Sequence, residues 1–129
     1  MLSEKQTNQL KSQLEKRFLE LRGEIRQELL ASDDEQYNQI AGQVHDLEDD
    51  SLADLLVDIN LAVIDQHIHE VEEIEAALIR ISTGEYGICI DCNTSIESSR
   101  LEVQPMAKRC IDCQMVYERT YAHPGHHKL

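Results

Sequence analysis

The chain has 129 residues, a formal net charge of −13, aromatic residues at only 4% and no Trp. So little bulky apolar volume argues against a large globular core, and a slender fold of this kind needs a staple such as a metal or a disulfide. The acidic balance argues against DNA or RNA as a partner, because affinity for phosphates comes from Lys and Arg. It favours a basic protein surface or channel, where opposite potentials steer encounter, although acids that merely keep a helical protein soluble are the plainer explanation.

The opening MLSEKQTNQLKSQ is polar, and no stretch approaches about 18 uninterrupted apolar residues. Neither a secretory leader nor a membrane span is expected, and the protein is read as cytoplasmic. In that setting Cys pairs are more often metal ligands or redox pairs than structural disulfides.

In chain order, Ser3-Glu4-Lys5-Gln6 fits a capping box. Leu10, Leu14, Phe18, Leu21, Ile25 and Leu29 then recur at steps of three or four, which keeps one face of a helix apolar. Gly23 weakens that helix locally without ending it. The polar segment 33–50 follows; Ile40, Val44 and Leu47 extend a helical pattern within it, and Gly42 loosens it. Ser51 is a plausible N-cap for a second stripe, Leu52, Leu56, Ile59 and Val63, then Val71, Ile74, Leu78 and Ile81, with His67 and Ile68 sharing the middle turn. Thr83-Gly84 supplies its stop. This predicts one helix from Leu52 to Ile81, roughly 45 Å long at ~1.5 Å per residue.

Two stripes of similar length predict an antiparallel coiled-coil hairpin over residues 1–83, with 33–51 as its acidic tip. Pairing of two chains is the alternative way to bury both stripes. The charge pattern follows the same division. Residues 1–30 hold six basic and five acidic side chains and residues 89–129 five of each, whereas residues 31–88 hold fifteen acids against Arg80 alone.

Cys89, Cys92, Cys110 and Cys113 form two C-x2-C knuckles separated by seventeen residues. Each knuckle turns two sulfurs toward one ion and two knuckles complete a tetrahedron, so the pattern predicts one structural Zn2+. Gly87 permits the sharp reversal before the first knuckle. Thioredoxin-like redox pairs are the competing explanation, but no βαβ pattern surrounds either one. A closed four-thiolate sphere has no open position for catalysis. GATA-type DNA-binding fingers share the spacing, yet the loop NTSIESSRLEVQPMAKR sets Glu97 and Glu102 against Arg100, Lys108 and Arg109, a poor phosphate surface. A short amphipathic helix, Ile111 to Tyr121, completes a finger module over 84–121.

Other candidates are weaker. His67 and His69 are two apart and cannot share a helix face, which reads as one interfacial and one surface His. His123, His126 and His127 lie in the segment 122–129, which is expected to be a flexible tail with adventitious metal affinity at most. No nucleophile elbow, phosphate loop or HExxH is present, so neither an enzyme nor a small-molecule substrate is expected.

The helical pattern followed by G-E-Y-G-x-C-x-x-C, R-L-E-x-x-P at Arg100–Pro105 and a final R-C-I-D-C resembles the DksA/TraR family of bacterial RNA-polymerase-binding proteins. The resemblance covers about residues 46–120, and the first helix matches in pattern only. It implies a cytoplasmic transcription regulator that inserts its hairpin into the secondary channel of RNA polymerase, a basic funnel leading to the catalytic Mg2+, without sequence-specific DNA contacts. Counting back from Cys89, the family's tip motif Asp-x-x-Asp-x-Ala falls on Asp46, Asp49 and Ser51, with Ser in place of Ala. Members responsive to guanosine tetraphosphate carry basic residues where this chain has Gln66, Glu73, Gln104 and Gln114, which implies that the nucleotide site is not built here. A zinc-bearing stress or protein-interaction adaptor that does not act on the polymerase is the alternative function.

Overall fold

The computed structural model describes residues 2–47, 51–59 and 61–121. The longest element, α1 (Glu4–Leu30), begins as expected: Ser3 Oγ accepts the Gln6 amide at 3.1 Å and the Gln6 side chain accepts the Ser3 amide at 2.9 Å. Its buried residues are Leu10, Leu14, Leu21, Ile25 and Leu29, so the expected stripe is the packed face, with Phe18 only partly buried at its edge. The second long element, α4 (Asp65–Thr83), ends at Gly84 in the left-handed conformation (φ 80°), where the Glu85 and Tyr86 amides both reach the Arg80 carbonyl. The helices run antiparallel. His67 near the start of α4 meets Glu28 near the end of α1 at 2.7 Å, while Leu10 packs with Cys89 and Leu101 beyond the other end of α4.

The connection differs from the expected tip. Residues 33–47 do not form a simple apex. Ser32 Oγ accepts the Asp34 amide at 3.1 Å, and the Asp34 carboxylate caps the Gln36 amide at 2.8 Å. That tight turn starts α2 (Glu35–His45), which doubles back along α1 and buries Ala41 and Val44 against it. Nor is Leu52–Ile81 one helix. It divides into a single turn, α3 (Leu52–Leu55), a 3-10 turn (Ala62–Ile64) and α4. The interruption falls on Val57, Asp58 and Ile59, β-branched and short acidic residues that favour helix weakly. Leu52, Leu56 and Ile64 are nevertheless fully buried with Val71, Ile74 and Ala77, because doubling back returns the same apolar positions to one core. The hairpin of α1 and α4 is thus thickened by α2 and α3 into a short bundle.

Polar ties fix the register. Arg17 forks onto Glu70, Nε to Oε2 at 2.7 Å and Nη2 to Oε1 at 3.0 Å. That hydrogen bond holds the Glu70 carboxyl below its ordinary 4.5, against partial desolvation acting the other way. Among the histidines, His67 lies in the helix interface and His69 is 75% exposed. No helix of the described residues is long and apolar enough to cross a membrane.

A carboxylate with a depressed folded value adds stability above its unfolded value and loses it as pH falls through the folded one. Because Arg17 is 38% exposed, solvent screening limits the pair to about 0.5–1 kcal/mol. Glu70→Gln is therefore expected to lower Tm by roughly 2–4 °C at pH 7. In thermal melts the gap between variant and wild type should close below about pH 4; an undiminished gap at pH 3 refutes the assignment.

Candidate metal centre

Gly87 lies at φ 84°, where an added Cβ would sit 3.2 Å from Leu2 Cδ1, and this turn launches the first knuckle. Ile88 and Ser95 form an isolated antiparallel bridge, and the Cys89 amide bonds the Thr94 carbonyl at 2.8 Å. Asn93, at φ 62° in the left-handed region that Asn tolerates, closes the reversal by donating its amide to the Cys89 carbonyl at 3.0 Å. The second knuckle is the start of α6 (Ile111–Thr120). Cys110 occupies its N-cap, with Sγ accepting the Cys113 amide at 3.5 Å. The Ile90 amide reaches the Lys108 carbonyl at 3.0 Å and sews the knuckles together.

The result is one cluster: the four sulfurs of Cys89, Cys92, Cys110 and Cys113 lie within 4.8 Å of one another. Tetrahedral zinc with Zn–S near 2.3 Å implies sulfur separations of about 3.8 Å, and Cys92 Sγ stands 3.8 Å from Cys110 Sγ. The titration pattern states the same fit chemically. Cys110, Cys89 and Cys92 push the Cys113 thiol far above its ordinary range. Burial pushes Cys89 up, but the backbone amides around Cys110, Cys92 and Asp91 outweigh it and leave this thiol at about 6. Thr94, whose Oγ1 lies 2.9 Å from Cys92 Sγ, holds Cys92 down. Some sulfurs are poised to ionise while a neighbour is forbidden to, a conflict that a divalent cation at the centre resolves. The four cysteines form a C4 centre for one zinc ion.

The supporting shell was not evident from spacing alone. Leu10, Ile96 and Leu101, the last from α5 (Ser98–Val103), bury Cys89. Arg109 Nε bonds Asp91 at 2.7 Å and its guanidinium lies 3.9 Å from the Tyr117 ring centroid, while Arg100 Nε donates to the Arg109 carbonyl at 3.0 Å. Tyr86 donates its hydroxyl to the Pro105 carbonyl at 2.8 Å, and burial pushes its phenol up to about 12. Arg80, lowered by burial, contacts the Met106 carbonyl. A polar residue two places after a knuckle Cys, as Thr94 is, was the one legible hint.

The remaining sequence candidates scatter. Asp46 is the C-cap of α2, some 11 helical residues back from the apex, or about 16 Å. Ser51 sits against Glu75 in the middle of α4, its hydroxyl donating at 2.7 Å. The expected placement of this motif at the end of the hairpin is therefore corrected for both residues: α2 and α3 carry them back along the body. Asp49, His123, His126, His127 and the tail 122–129 lie outside the described residues. Glu73, Gln104 and Gln114 line one groove between α4 and the finger; Gln66, in the first turn of α4, is not in its wall. Arg100, Lys108 and Arg109 also line this groove, but Lys108 is 3.5 Å from Glu73, Arg109 is held by Asp91, and Arg100 by the Arg109 carbonyl.

A helical hairpin closed at its base by a four-cysteine finger defines the class of this protein. Residues 84–119 match the prokaryotic dksA/traR C4-type zinc finger, and this module of the chain is a zinc finger of that type. It is 40% identical over 48 residues to the RNA polymerase-binding transcription factor DksA of Haemophilus influenzae, which covers 37% of this chain and 33% of that protein. The corresponding Escherichia coli K12 protein is 35% identical over 48 residues, 37% of this chain and 32% of its own length. The match thus spans about a third of these relatives. The fold resembles that of transcription factor DksA2 from Pseudomonas aeruginosa, with a TM-score of 0.61 at 19% identity, over 94% of this chain and 89% of the other.

Structural zinc of this type contributes on the order of 10 kcal/mol to folding. Elemental analysis is expected to find one zinc per chain, falling to near zero in Cys113→Ser. Chelation should lower the melting temperature of the wild type, and zinc, not magnesium, should restore it. A chelator-insensitive, zinc-free protein with an unchanged melt refutes a structural metal.

Proposed function

We propose that this protein binds bacterial RNA polymerase and regulates promoter complexes, entering the secondary channel with its acidic helical body and lacking a guanosine tetraphosphate site. The observation that carries this reading is the 48-residue match to relatives described as RNA polymerase-binding transcription factors. Electrostatics support it: fifteen acids against one base in residues 31–88 suit a basic funnel. Asp46, Asp49 and Ser51 are assigned the action on the polymerase, and the cytoplasm is the setting this implies. The zinc centre shapes the base and takes no part in chemistry, so the protein is read as a regulator and not an enzyme.

The nucleotide assignment rests on the groove of Glu73, Gln104 and Gln114, where an anion meets a carboxylate and amides, with Lys108 and Arg109 already paired to Glu73 and Asp91 and Arg100 Nε bonded to the Arg109 carbonyl. One observation favours the adaptor reading: Ser51 is tied to the middle of α4, away from the apex.

Competition for core polymerase against a known secondary-channel factor separates the two readings. Displacement of that factor is the expected result, and failure to compete at saturating protein favours the adaptor. Asp49→Ala is expected to bind the polymerase as wild type does while losing its effect on promoter-complex lifetime. Wild-type activity in that variant overturns the role of the motif, and saturable guanosine tetraphosphate binding lost in Gln104→Ala overturns the nucleotide assignment.

A further inference from the structure

Helices α1 and α4 carry the same short pattern on one open face. Glu15 stands one turn before Phe18 and Leu19 on α1, and Glu75 one turn before Leu78 and Ile79 on α4. These six side chains, with Ser51 at the edge, line an open groove of about 630 Å³. Phe18 and Leu78 pack against the core and form its floor, while Leu19 is 56% and Ile79 62% exposed on its walls. Among the described residues, no side chain of α2 borders it. Residues three and four apart share one face of a helix. The groove is therefore an apolar seam between two antiparallel helices, of the kind that an added helix fills.

The polar groups of the groove select what can enter. Glu75 Oε1 accepts the Ser51 hydroxyl at 2.7 Å and the Ala53 amide at 3.4 Å, and its Oε2 accepts the Leu52 amide at 2.9 Å. These three neutral donors fix the orientation of the carboxylate without neutralising it. A carboxylate offers about four acceptor positions, so one stays open. Among the described residues, neither Glu15 nor Glu75 forms a salt bridge with any basic side chain. Because the helices run antiparallel, the two acids lead their apolar pairs from opposite directions. An apolar strip edged by acids in this way matches a helix whose own apolar residues are accompanied by Lys or Arg. The alkyl stems lie along Leu19 and Ile79 while the cationic heads reach the carboxylates.

A second copy of this chain is a poor occupant. Two-fold pairing through the groove sets the acids of one copy against the same acids of the other, between chains of net charge −13. An anionic lipid surface meets the same repulsion.

We infer that the groove between α1 and α4 docks a basic amphipathic helix of another protein, with Leu19 and Ile79 as apolar contacts and Glu15 and Glu75 as acceptors for its cations. Ser51 contributes by holding the Glu75 carboxylate in place. The inference rests on the groove alone and is independent of the polymerase reading.

The probe is a fluorescein-labelled synthetic peptide of Leu and Lys with Leu at positions i, i+3, i+4 and i+7. Its binding to the zinc-loaded protein is read by fluorescence anisotropy at about 150 mM salt, where well-separated surface charges are largely screened. It is expected to bind at least tenfold more tightly than a peptide of the same composition whose Leu residues are spread around the helix. Leu19→Ala and Ile79→Ala should each weaken it at least fivefold, and Glu15→Gln and Glu75→Gln at least threefold. Val57→Ala and Glu72→Gln, exposed positions outside the groove, should stay within twofold of wild type. Glu75 also ties α3 to α4, so Glu15→Gln, at an exposed position of α1, decides the charge requirement by itself. Equal binding of the two peptides overturns the docking site, and so do groove variants that change no more than Val57→Ala and Glu72→Gln. Sedimentation velocity of the protein alone is expected to show no self-association through this face. A dimer that Ile79→Ala dissociates makes a second copy the occupant and overturns the inference as well.

Discussion

Four sulfurs held within 4.8 Å of one another impose the condition on which the base of this molecule is built. Without a cation their negative charges oppose one another, and the Cys113 thiol is accordingly pushed up by its three neighbours. With zinc they become the fixed point around which Gly87, Asn93 and the start of α6 take their conformations. The metal also substitutes for core. Among the described residues only Leu10, Ile96 and Leu101 join Cys89 in the buried cluster at this end, too few apolar groups to order a loop of this length unaided. Because Leu10 comes from α1, ordering the finger also anchors the first helix at the end of α4. Arg80 and Tyr86, bonded to the Met106 and Pro105 carbonyls, do the same for the second helix.

The body above this base is specified differently, and that difference decides what could be read from the sequence. The C4 centre was legible because a metal demands particular atoms at particular spacings. The capping box at Ser3, the buried face of α1 and the stop at Gly84 were legible because each is a local rule. The doubling back of α2 and α3 was not. Helical periodicity reports which residues face a core and is silent on whether the chain reaches that core straight or folded. Leu52 and Leu56 are buried in the observed arrangement and are spaced to be buried in a continuous helix as well. What separates the two outcomes is long-range: Glu75 meets Ser51 across 24 residues of sequence. Such a contact leaves no periodic trace.

Folding back also redistributes charge. An acidic tip was expected from the run of acids between Asp33 and Asp54. Helix α2 instead sets Asp34 at the apex and Asp46 some 11 residues back along the body. The cations are meanwhile drawn inward: Arg17 onto Glu70, Lys108 onto Glu73 and Arg109 onto Asp91. Their pairing leaves much of the acid excess free to face a partner, and a basic one is what that surface selects.

The two ends therefore tolerate change unequally. At the base, moving one sulfur by an ångström breaks a coordination sphere, so the finger has one solution. In the body, any arrangement that buries the stripe and satisfies the freed amides is acceptable, and α3 shows how small the deciding contacts are. Its four residues bring Leu52 into the core, and its N-terminal amides are satisfied largely by one carboxylate on another helix. The base is therefore fixed by the metal, and the start of α3 is held to the body by the lesser tie to Glu75.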